Sequence, residues 1–189
     1  MDTADAHHHR SPADAGALTA TAIAATMHCL TGCAIGEIAG MAVGTAIGFS
    51  NLGTVVLSIV LAFAFGYGLT SLPLLRAGFA PAAVIPIALA ADTLSIATME
   101  VVDNLVVLAV PGALDAGLGS LLFWGSLSFA LAVAAVVTVP VNRFLIARGK
   151  GHAVVHETGV HGGPPTRMVV LATTAAFLFG ATVLAAEAA

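Results

Sequence analysis

Residues 27–41 read MHCLTGCAIGEIAGM, inside an apolar run that extends from about residue 17 to residue 49. The run is apolar enough to enter a bilayer, yet it carries a histidine, two cysteines and a glutamate. Groups this expensive to dehydrate decide how the rest of the chain is read. In the chain as a whole, 59% of the residues are hydrophobic and 8% are charged. A soluble domain carries about 25% charged residues, so the fold class is all-α, a polytopic helical membrane protein whose first partner is the lipid bilayer. With Lys and Arg numbering 6 in all, no nucleic-acid surface can be assembled.

A helix crosses about 30 Å of hydrocarbon with roughly 20 apolar residues. Five stretches meet this: about 19–49, 52–72, 82–110, 118–141 and 168–186. The first is longer than a crossing requires and is expected to tilt or to begin in the interface. Pro73 is expected to close the second. The chain thus divides into a disordered His-containing tail (1–16), a four-span membrane core (17–147), a His- and Gly-rich loop (148–167) and a fifth transmembrane helix (168–189). The tail lacks the positively charged start of a secretory signal. Placing the N-terminus in the cytoplasm puts Arg10, Arg76, Arg143, Arg148, Lys150 and Arg167 on the cytoplasmic side, as the positive-inside rule asks. His7, His8, His9, His152, His156 and His161 fall on that side too. They are either solvated low-complexity sequence or a loose imidazole reservoir for a transition metal.

On a helix turning about 100° per residue, Cys29, Cys33, Gly36, Gly40 and Gly44 share an arc of about 80°, with Gly32 and Gly48 flanking it. Small residues at every fourth position let another helix approach closely, and here they invite self-association into a homo-oligomer. The cysteines can be read as part of this small-residue stripe. They can also be read as ligands, since Cys29, Cys33, Glu37 and Met41 make an i, i+4 ladder of sulfur and oxygen donors suited to Cu(I), Zn²⁺ or a similar ion. An i, i+4 disulfide is disfavoured, because the Cβ atoms stand about 5–6 Å apart.

The third span contributes ADTLSIATMEVVDN, which gathers Asp92, Ser95, Met99 and Asp103 on one face with Glu100 beside them. The first and third spans run parallel, so Cys29 is expected level with Asp92, Cys33 with Ser95, and Glu37 with Met99 and Glu100. Each of the four carboxyls costs about 2.5–3.5 kcal/mol at a helix centre, and no Lys or Arg lies in a span to pair with them. They are therefore protonated, hydrated, hydrogen-bonded within the bundle or bound to a cation. His28 either reaches the interface or, as a ligand, hands ions from the His-bearing loops to Cys29, with a cytoplasmic metal donor or acceptor as a further expected partner.

Three readings stay open: a protein that binds or translocates a transition metal through His28, Cys29, Cys33, Glu37, Met41, Asp92, Met99, Glu100 and Asp103; a thiol-redox or proton-coupled accessory protein; and a structural subunit. An enzyme is not favoured, for no nucleophile elbow or HExxH is present. Nucleotide is excluded by the absence of a P-loop pattern, retinal by the lack of a lysine in any span, and covalent haem by the lack of C-x-x-C-H.

The motifs MHCLTGCAIGEIAGM, ADTLSIATMEVVDN, PGALDAG, FWGSL and PVNRFLIARGKGHAVVH, in that order from about residue 27 to residue 156, resemble a bacterial membrane family, domain of unknown function 4396. The resemblance implies a multi-span helical protein of the bacterial inner membrane. It carries over no functional residues.

Overall fold

The computed structural model describes residues 12–159 and 166–187. The chain forms α1 (Pro12–Ile47), α2 (Asn51–Arg76), α3 (Pro81–Ala109), a 3-10 turn at Ala113–Asp115, α4 (Leu121–Ile146), the single helical turn α5 (Ala153–His156) and α6 (Thr166–Glu187). His7, His8, His9 and His161 lie outside the described residues. α1 to α4 are the 4 helices with the length and apolar composition to cross a membrane, and α6 contributes a shorter apolar stretch, Thr173–Ala186. The long helices alternate in direction, so α1 and α3 run parallel. The C-terminal ends of α2 and α4, with Arg76 and Arg143 in their last turns, meet the N-terminal ends of α1 and α3.

The exterior is apolar, as lipid demands, and the interior mixes apolar packing with a set of buried polar side chains. On α3, Val101, Leu105 and Leu108 are each at least 60% exposed, while Asp103 is 3% exposed. This is a helical membrane protein.

Three boundaries differ from expectation. α1 starts at Pro12, inside the stretch assigned to the tail, because proline suits the first helical turn and Asp14 complements the positive helix end. α2 runs through Pro73 to Arg76. The ring forfeits one backbone hydrogen bond, a loss that packed transmembrane helices tolerate. The stretch 148–167 is not wholly a loop. Gly149 and Gly151 adopt φ of 67° and 60°, a conformation open to glycine. They turn the chain back so that Ala153–His156 packs against the end of α3.

The glycine stripe of α1 is filled from within the chain. α2 buries Thr54, Ser58, Ala62, Gly66, Thr70 and Leu74 at every fourth position. Running antiparallel, it meets Gly44 with Thr54, Gly40 with Ser58, Gly36 with Ala62 and Gly32 with Gly66. A Cβ at Gly32 would stand 2.7 Å from the Gly66 backbone. The stripe therefore sets the α1–α2 spacing and leaves no argument of its own for self-association. α6 packs along α4, where Gly180 meets Phe129 and Gly125 meets Val183.

Candidate metal centre

The polar faces of α1 and α3 meet in the interior and form a column with two chemically different ends. At the basic-residue end, His28, Asp92 and His152 each offer a donor atom, and these atoms lie within 4.8 Å of one another. Three separate elements supply them. His28 comes from α1 and Asp92 from α3, while His152 comes from the turn that follows α4. Asp92 is fully buried and His152 is 8% exposed.

Neighbouring side chains constrain these donors. His28 Nε2 shares a hydrogen bond of 2.8 Å with Thr70 Oγ1 of α2. The two imidazoles meet edge to face, with ring centroids 5.3 Å apart. His152 Nδ1 stands 3.3 Å from Asp92 Oδ1, yet it has no partner in hydrogen-bond geometry, and neither does Asp92 Oδ2. The His152 ring lies against the Ala91 carbonyl. Its Nδ1 stands close to a carboxylate oxygen without a hydrogen bond to it. A ring nitrogen and a carboxylate at that separation suit a shared proton or a cation. Burial, together with His28 and His156 nearby, pushes the His152 pKa down to about 4. The ring is thus neutral and ligand-competent at physiological pH. A backbone carbonyl beside an imidazole is a neighbour common to metal-binding histidines.

Behind this cluster, Cys29 Sγ donates to Asp92 Oδ1 at 3.6 Å. A buried network ties the surrounding helices together. Ser95 Oγ donates to Asn142 Oδ1 of α4, and Asn142 Nδ2 donates to Thr26 Oγ1 at 2.9 Å. These contacts hold α1, α3 and α4 at one spacing around the donors.

Further along the column, Cys33 Sγ lies 4.0 Å from Met99 Sδ and faces the Glu100 carboxyl. Cys33 thus meets Met99 and Glu100, one turn beyond the Ser95 level expected from register counting, while Ser95 turns toward α4. Glu37 and Glu100 face each other, and Asp103 completes the group. Both thiols are free and buried. At the far end, a cavity of about 310 Å³ opens between the α1–α2 turn and the α3–α4 connection, lined in part by Glu37, Met41, Ser58, Asp103, Asn104 and Asp115. Asn51 donates to Asp115 at its mouth, 2.7 Å away.

The residues named from the sequence therefore fall into two groups. His28, Cys29 and Asp92 gather at one end, and Cys33, Glu37, Met99, Glu100 and Asp103 gather toward the other. Met41 lines the cavity and packs near Phe123 and Leu127. Sequence reasoning placed His152 among solvated or reservoir histidines, but it is a buried member of the cluster. The signal for it was the apolar Ala153, Val154 and Val155 directly after a Gly-X-Gly, which marks a segment folding back on the bundle. Asn142 gave no such signal, being one polar residue near a helix end.

Among curated proteins and among solved structures, none matches the chain. A family model described as domain of unknown function (DUF4396) matches residues 19–151. That span runs from α1 through the turn before His152 and holds both His28 and Asp92. The chain belongs to the DUF4396 family.

Proposed function

We propose that this protein binds a transition-metal cation in the membrane, held by His28, Asp92 and His152. The observation that carries the proposal is the convergence of three donors from three elements, with the unpartnered Nδ1 of His152 standing 3.3 Å from Asp92 Oδ1. Two imidazoles and a carboxylate favour Zn²⁺ or a similar borderline divalent ion over Cu(I), which prefers sulfur. Three protein ligands leave one position of a tetrahedral ion open to exchange. Cys29, bonded to Asp92, is placed to orient that ligand or to receive the ion. An N-terminus on the cytoplasmic side of the bacterial inner membrane puts the site at the cytoplasmic end, beside Arg76, Arg143, Arg148 and Lys150, within reach of a cytoplasmic metal donor or acceptor. In that frame the column of Cys29, Cys33 and Met99 is a route from the site toward the cavity.

The thiol-redox alternative is weakened by burial, since neither sulfur is accessible to a partner. The test is elemental analysis of the full chain, purified in detergent and loaded with Zn²⁺. We expect about one equivalent per chain, the load of a single three-ligand site. His152→Ala and Asp92→Asn should lose it, and Cys33→Ser should retain it. A metal-free wild-type chain, or an unchanged content in His152→Ala, would overturn the proposal.

A further inference from the structure

We infer a second, separate cation site at the cavity at the opposite end of the column, formed by Glu37 and Asp103 of its wall with Glu100 behind them and selective for a hard divalent cation. It goes beyond the histidine site in both place and chemistry.

Three acids near one another do not make a site. What makes one here is the state of their oxygens. Asp103 is 3% and Glu100 is 4% exposed; Asp103 Oδ1, Glu37 Oε1 and both Glu100 carboxylate oxygens lack a partner in good hydrogen-bond geometry, although Glu100 lies close to Glu37 and Cys33. Buried polar atoms in folded proteins are nearly always partnered. A proton shared between the facing Glu37 and Glu100 carboxyls pairs those two, and Asp103 Oδ1, at the cavity wall, is left for a ligand. Asp103 and Glu37 border the open cavity of about 310 Å³, while Glu100 sits just past them, facing Glu37 and Cys33. The cavity supplies what an enclosed acid cluster lacks, a path from water. Among the described residues no basic side chain lines the cavity, and Arg76 and Arg143 sit in last turns at the other end of the bundle.

The donor set fixes the class of ion. Three carboxylates are hard oxygen ligands, and Ser58 and Asn104 in the same wall add neutral oxygens. Mg²⁺, Mn²⁺ and Ca²⁺ take such ligands, with waters completing the coordination shell. The cavity has room for those waters. Imidazole is absent from the wall, so an ion that depends on nitrogen gains little there. The two ends of the column are thereby matched to different cations.

Mn²⁺ is the probe, because its free-ion paramagnetic resonance signal disappears on binding. Titration of the full detergent-purified chain should show saturable Mn²⁺ binding, displaced by Mg²⁺. Asp103→Asn and Glu100→Gln should each weaken it by about 10–100-fold, the range seen when a metal site loses a supporting group. His152→Ala should leave Mn²⁺ binding intact while removing Zn²⁺, so the two proposals fail separately. Absence of saturable Mn²⁺ binding in the wild-type chain would overturn the inference without need of any variant. So would unchanged affinity in Asp103→Asn and Glu37→Gln. Equal loss of Mn²⁺ in His152→Ala would also overturn it, by showing a single shared site.

Discussion

Asp92 and Asp103 are aspartates of the same helix, about three turns apart, and both are buried on the same inward face. Their company could hardly differ more. Asp92 has two imidazoles and a thiol around it. Asp103 has Glu37 and Glu100 and the edge of an open cavity. Burial and residue type are thus equal, and the neighbours decide the chemistry. On the two proposals above, imidazoles beside Asp92 would suit a borderline metal at one end, whereas the carboxylates around Asp103 would suit a hard one at the other.

The largest effect should come from a change that removes the comparison altogether. Gly36→Leu drives a side chain into the backbone of Ala62, where no rotamer change gives relief. Overpacking typically costs about 1–3 kcal/mol, and a backbone clash sits at or above the upper end. We expect loss of the monodisperse peak in size-exclusion chromatography and loss of both metals together. A stable, metal-binding Gly36→Leu chain would show that the α1–α2 spacing does not position the column.

Next in size is the direct contrast between the aspartates. Asp92→Asn should weaken Zn²⁺ by about 100-fold, the upper range for a metal site losing a group. Asp103→Asn should leave Zn²⁺ affinity as it is. Competition titration against a chromophoric chelator measures both, and equal losses would erase the distinction between the ends.

The thiols sharpen the boundary. Cys29→Ser, which keeps a hydrogen-bond donor toward Asp92, should weaken Zn²⁺ by less than about tenfold, below the usual loss for an outer-shell partner. Cys33→Ser should not alter it. A bulky maleimide should modify neither cysteine in the folded chain and both after unfolding, since they are 0% and 1% exposed. Fast labelling of the folded protein would restore the redox reading. The smallest effect is expected at the cavity mouth. Asp115→Asn should weaken Mn²⁺ by about twofold or less, as befits a solvent-screened charge.

Much of this arrangement was legible in the sequence because it follows from periodicity. The helical membrane class, the parallel α1 and α3 and the facing of Cys29 with Asp92 come from hydropathy and a 100° turn. Two features escaped for a physical reason. The partner of the glycine stripe is α2, whose Thr54, Ser58, Ala62, Gly66 and Thr70 repeat is matched to α1 only once the antiparallel register is known. His152 depends on the handedness of a reversal at Gly149 and Gly151, which residue type permits but does not aim. The division of the acids into two groups also required three dimensions, because Glu100 shares its face of α3 with Asp92 while its nearest carboxyl, Glu37, belongs to α1.

X-ray absorption at the zinc edge of the loaded, detergent-purified chain tests the central claim most directly. A nitrogen and oxygen shell at about 2.0–2.1 Å with imidazole scattering from two rings, lost in His152→Ala, is the predicted result. A shell dominated by sulfur at about 2.3 Å, or a spectrum that His152→Ala leaves unchanged, would contradict it.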